Sequence, residues 1–68
     1  MVKFQASFNL DDPYYHGRNK VVEIRRLLSY VSDSLLDYGL EYVPRDIHDP
    51  LNKDRLCGVY EFKNENEH

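Results

Sequence analysis

Two groups of side chains in this sequence have residue types that do chemistry. Asp11, Asp12 and His16 lie close together in the chain, and carboxylates with an imidazole are donors that hard and borderline divalent cations accept. Asp46, His48 and Asp49 form the second group, in which a carboxylate beside an imidazole is the minimal pair for general acid and base catalysis. Each group has a plainer account. Asp-Asp-Pro ahead of Gly17 starts a turn, because Asp side chains bond neighbouring backbone amides. The second group lacks a nucleophile with an attached base, a glycine-rich phosphate loop, and enough chain to wall water out of a reaction. The expectation is therefore a protein that is not an enzyme and carries no cofactor or metal. A small metal- or ligand-binding protein using Asp11, Asp12, His16, Asp46 and His48 is the alternative.

The remaining reactive side chains narrow this further. Cys57 is the single cysteine, so there is no internal disulfide and no second thiolate for a structural zinc site. Set between Leu56 and Gly58, it reads as a small buried hydrophobe rather than a nucleophile. His16, His48 and His68 stand at no i, i+3 or i, i+4 spacing that would place two rings on one helix face. A net charge of -3 argues against a phosphate-binding surface, so nucleic acid is not an expected partner. Glu61, Glu65 and Glu67, interrupted by Lys63, read as a solubilising tail more readily than as a nucleic-acid mimic. No run approaches the roughly 18 apolar residues of a spanning helix, and the N-terminus lacks the order of a signal peptide. A cytoplasmic protein with no membrane contact is expected.

The elements that must position these groups follow from periodicity. Val2, Phe4, Ala6, Phe8 and Leu10 alternate with Lys3, Gln5, Ser7 and Asn9, the pattern of a half-buried strand. Asp11 to Asn19 is a loop. From Lys20 to Tyr38 the stripe Val21, Ile24, Leu28, Val31, Leu35 and Tyr38, widened by Leu27, has helical period. Asn19 is placed to cap its start and Gly39 to end it. Glu23, Arg26, Ser29, Asp33 and Asp37 are expected to face water. Leu40 to Ile47 and Arg55 to Lys63 read as strands of a hairpin, with His48 to Asp54 as the turn. In the last strand Leu56, Gly58, Tyr60 and Phe62 share the face expected to meet the helix, opposite Cys57, Val59 and Glu61. Gly58 marks a close approach of backbone, for which the helix is the expected neighbour.

The fold class predicted is α+β, in the order β-α-β-β, with one amphipathic helix on a three-stranded, mostly antiparallel sheet and the last strand in the middle. Pro44, without an amide hydrogen, puts its strand at an edge. Residues 1–63 form one domain and residues 64–68 a frayed acidic tail.

A chain of 68 residues buries only about 60% of the surface that its unfolded form exposes. A core of that size supplies about 3 to 5 kcal/mol, so such chains are commonly reinforced by disulfides, a metal or a partner subunit. With no disulfide possible and a metal not expected, a homodimer is expected. Six tyrosines are many for this length, and tyrosine is favoured at interfaces for its large contact area and polar tip. Tyr14 and Tyr15 in the loop, Tyr30 off the helix stripe, and Tyr42 are the candidates. Val43, Ile47 and Val59 are expected on a sheet face that nothing in the chain covers. Tyr14, Tyr15, Tyr30, Tyr42, Val43 and Val59 are thus the candidate protein-binding residues, for a partner of unspecified identity. A subunit that completes a larger complex is a further alternative.

Phe4 to Leu10, the run Val22-Glu23-Ile24-Arg25-Arg26-Leu27-Leu28 through Leu35 to Gly39, and a hairpin with Arg45-Asp46 before the turn and Cys57-Gly58-Val59-Tyr60 after it resemble short proteins encoded by bacteriophages and prophages, most of unassigned function. The likeness covers most of the chain. It departs at Ile47 to Arg55, which is longer than the usual Asp-x-Asn-Gly-Asn turn and contains Pro50. The resemblance implies an accessory protein of mobile elements that binds or inhibits a host protein, including components of bacterial defence. It carries over no catalytic residues.

Overall fold

A computed structural model describes residues 1–65. Strand β1 (Val2–Phe8) leads through a 3-10 turn (Pro13–Tyr15) into helix α1 (Lys20–Tyr38), followed by β2 (Arg45–Asp49) and β3 (Asn52–Asn64). The three strands form one antiparallel sheet in the order β1-β3-β2, with the last strand central. The α+β class and the β-α-β-β order expected from periodicity are the architecture observed.

Local chemistry accounts for the element boundaries. The Asn19 side-chain oxygen accepts from the Val21 and Val22 amides at 3.0 and 3.3 Å, satisfying donors that the first helical turn leaves open. Gly39, at φ 69°, closes the helix by donating its amide to the Leu35 carbonyl at 2.9 Å. Between β2 and β3 the turn is two residues, Pro50 and Leu51, shorter than the expected His48 to Asp54. Asp49 directs it by accepting the Leu51 amide at 3.0 Å, with proline at the favoured second position. Residues 40–44 are not strand, and β2 begins at Arg45 on the sheet edge, after the proline that has no amide to give a ladder.

Packing departs from the expected faces in three places. Helix α1 buries Glu23, Leu27, Val31 and Ser34, while Val21, Leu28 and Tyr38 are exposed, so the helix is turned from the predicted stripe. The inward polar groups are matched in part: one Glu23 oxygen accepts from Arg26 while the other has no hydrogen-bond partner among the described residues, and Ser34 pairs with the Tyr60 hydroxyl at 2.9 Å. In β3, Cys57 is an extra residue between the pairs Ile47–Gly58 and His48–Leu56. This bulge turns Cys57 into the same core as Tyr60 instead of the opposite face. Ile47, expected on the uncovered face, is fully buried in that core beside Tyr15, Leu27 and Val31. Gly58 does mark a close approach, but of β1 rather than the helix: a Cβ there would run into the Ser7 carbonyl.

The chain end is also more ordered than expected. β3 continues to Asn64, and Met1 and Glu65 exchange two backbone bonds at 2.8 and 2.9 Å. The rest of the predicted frayed tail, residues 66–68, lies outside the described residues. Among the described residues no helix is long and apolar enough to cross a membrane.

Candidate functional site

The most densely bonded side chain is Asp49, at the end of β2 and wholly buried. Its Oδ1 accepts from Arg26 Nη1 at 2.7 Å and from the Leu51 amide at 3.0 Å. Its Oδ2 accepts from the Tyr15 hydroxyl at 2.7 Å, Arg26 Nη2 at 2.9 Å and Arg55 Nη1 at 3.1 Å. Loop, helix and hairpin each send a donor to this one carboxylate. Arg55 reaches it because residues 53–55 have no partner on β2, the second register shift of the hairpin.

An outer ring of charges surrounds this centre. Arg26 Nε donates to Glu23 at 3.1 Å, and Arg18 approaches the other Glu23 oxygen at 3.7 Å. Asp12 accepts the Tyr14 amide at 2.8 Å and lies 3.6 Å from Arg55. The Tyr14 ring takes the guanidinium carbons of Arg55 at 3.7 Å and Arg18 at 4.1 Å, within the range of cation–π attraction. It meets Tyr15 edge-on at 5.1 Å. The bidentate Arg26 fork holds the Asp49 carboxyl well below the usual carboxylate range. Burial, followed by the bond to Asp49, pushes the Tyr15 phenol above its ordinary range, and burial pushes the Cys57 thiol up.

These features decide what the junction can do. A carboxylate has about four lone-pair sites, and those of Asp49 are already taken up by its protein donors. Saturated and strongly acidic, Asp49 is unsuited to accept a proton at neutral pH, where a general base must work. The arrangement fits a structural junction.

The sequence-predicted interface residues fall into separate environments. Tyr15 is fully buried, its hydroxyl spent on Asp49, so it is not available at the surface and is withdrawn from the binding set. Tyr14 is half-buried beneath the two arginines. Tyr30 lines a cleft of about 390 Å³ with His48, Asp49, Pro50 and Lys53. Val59 lies half-buried on the sheet face away from the helix, beside Ser7, Asp46 and Leu56 in a shallower hollow. Tyr42 and Val43 are exposed in the segment before β2. The carboxylates and histidines first considered as ligands do not converge: among the described residues no three His, Cys, Asp or Glu side chains are grouped to hold a metal ion.

Sequence reasoning did not find the Asp49 junction. From sequence Arg26 faces water, because its partner lies 23 residues away, beyond any local spacing. The one local signal is that Glu23 and Arg26, an i, i+3 pair, stand in the turn before the buried Leu27. Compared with family models, curated proteins and solved structures, the chain matches none.

Proposed function

We propose that this chain is a non-enzymatic protein-binding module, an accessory protein of the phage type that binds and inhibits a bacterial host protein, defence components included. It acts in the cytoplasm as a homodimer. The observation that carries the reading is the run from Leu36 to Val43. Leu36, Tyr38, Leu40, Tyr42 and Val43 are all large, apolar and at least half exposed, from 50% at Tyr42 to 85% at Leu36. Scattered exposed hydrophobics are ordinary, but a dense run of them at the end of the helix and just after it is the kind of feature an interaction surface uses. Tyr30 and Tyr14 extend the set of candidate contacts, and the saturated Asp49 junction favours a binding role over catalysis. The same run also suits a subunit that completes a larger complex, which would aggregate when expressed alone.

The test is retention of bacterial host proteins on the immobilised chain, followed by calorimetric titration of each purified candidate against wild type and a Tyr42→Ser, Val43→Glu double variant. A partner that binds wild type and loses at least about tenfold in affinity with a variant of unchanged melting temperature supports the reading. Equal affinity for both proteins, or no partner that binds the purified wild type, overturns it.

A further inference from the structure

The two edges of the sheet are built differently. β2 is five residues long, follows Pro44, carries Arg45, Asp46 and Asp49, and is broken by two register shifts. These are the devices that keep an edge from pairing with another chain. β1 has only one of them, the charge of Lys3. Its seven residues pair with β3 without a shift from Val2–Asn64 to Phe8–Gly58, it contains no proline, and Lys3 is its only charge. Its outer row of backbone donors and acceptors faces no other strand among the described residues. Next to that row, on the helix side of the sheet, Val2 and Phe4 are 53% and 43% exposed.

We propose that β1 is the dimer interface, pairing antiparallel with β1 of a second copy about a two-fold axis through Gln5. This deepens the homodimer reading and rests on it. The two-fold stands perpendicular to the sheet, so both helices lie on one side of a continuous sheet of six strands. Cross-strand partners must share a face, which limits the register to pairs of like parity. Centring on Gln5 uses all seven residues: Val2 faces Phe8, Phe4 faces Ala6 and Lys3 faces Ser7 of the copy. Centring on Phe4 or Ala6 pairs only five and sets two Phe4 rings, or two Ala6 methyls, against each other. In the Gln5 register the large Phe4 meets the small Ala6 and Lys3 meets a hydroxyl, so the edge matches itself in shape and sets no like charges opposite each other. The pairing also covers the exposed flanks of Val2 and Phe4.

The position on the axis supplies the test. Gln5→Lys places two ammonium groups opposite each other across the dyad, and Gln5→Glu places two carboxylates. Gln5 points to the face away from the helix, with only a 3.5 Å contact to Glu61, so neither change enters the core. Sedimentation equilibrium of the full chain is expected to give twice the chain mass for wild type. Each single variant should dissociate roughly fivefold more readily, as like charges placed directly opposite do. An equimolar mixture of the two variants should recover the wild-type dimer, and β1 amide exchange in wild type should slow as protein concentration rises. Recovery in the mixture also excludes misfolding of either variant. A wild-type dimer whose dissociation is unchanged by both substitutions overturns the β1 interface and leaves the homodimer standing. A wild-type chain that stays monomeric overturns both. Dissociation of both variants without recovery in the mixture overturns the pairing about Gln5.

Discussion

A carboxylate without exposed surface is costly unless its charge is matched and its lone pairs are filled, and Asp49 meets both conditions through Arg26, Arg55, Tyr15 and the Leu51 amide. Removing one partner of such a set typically costs about 3 to 5 kcal/mol, because the others are left uncompensated. Asp49→Ala is therefore expected to consume most of the stability of a domain this small, and urea unfolding followed by circular dichroism measures it. Acid reads the same residue more selectively. The folded-state pKa is depressed, so the stabilisation is fully present above the unfolded value of about 3.9 and is lost as pH falls below it. In that window the unfolded chain takes up a proton that the folded chain refuses, at up to about 1.36 kcal/mol per pH unit for one carboxyl. Unfolding free energy should drop steeply below about pH 4 in wild type and more shallowly in Asp49→Asn. Equal slopes would show that the acid limb belongs to other carboxylates. At this scale little is legible beforehand: Asp49 and Arg26 look like a turn former and a solvated helix residue, and only the fold brings them together.

Among the elements, three locally determined features are read correctly. The alternation of β1, the Asn19 cap and the Gly39 stop depend on residues within one turn or one strand of each other, and all three stand in the fold. The helix face and the inward side of β3 depend on distant partners. α1 carries apolar residues on overlapping stripes, and the charge-free stripe is the natural choice from sequence. The fold instead selects the one through Glu23, Leu27, Val31 and Ser34, where Arg26 bonds one Glu23 oxygen and the Tyr60 hydroxyl pairs with Ser34. The Cys57 bulge has no signal except the neighbouring glycine. Gly58 then carries a prediction at this scale. Its Cα lies too close to the Ser7 carbonyl for any Cβ, so Gly58→Ala should force β1 and β3 apart and cost roughly 1 to 3 kcal/mol, as overpacking does. The loss should appear in denaturant midpoints and as faster amide exchange confined to β1 and its β3 partners. A neutral substitution would mean that the strands separate without losing their ladder.

At the scale of the whole molecule, no element owns the core. Tyr15 comes from the loop turn, Leu27 and Val31 from the helix, Ile47 from β2, and Cys57 and Tyr60 from β3, while Asp49 ties the same loop, helix and hairpin from one side. An isolated helix of this length is marginal in water, and a two- or three-stranded sheet needs a covered face. Loss of any one contributor therefore exposes the rest, and unfolding should be a single cooperative transition. Three probes report on different parts. Far-UV circular dichroism follows α1, near-UV signals follow buried Tyr15 and Tyr60, and thiol labelling follows Cys57, which is fully buried and donates to the Ile47 carbonyl at 3.2 Å. Because burial raises the thiol pKa and blocks access, labelling should be negligible in the native protein and appear only with global unfolding. All three midpoints are expected to coincide at one protein concentration and to rise together with concentration if two copies share the fold's stability. A Cys57 labelled before the helix melts would instead identify the hairpin as a separately opening unit, and the Asp49 junction as too weak to hold it to α1.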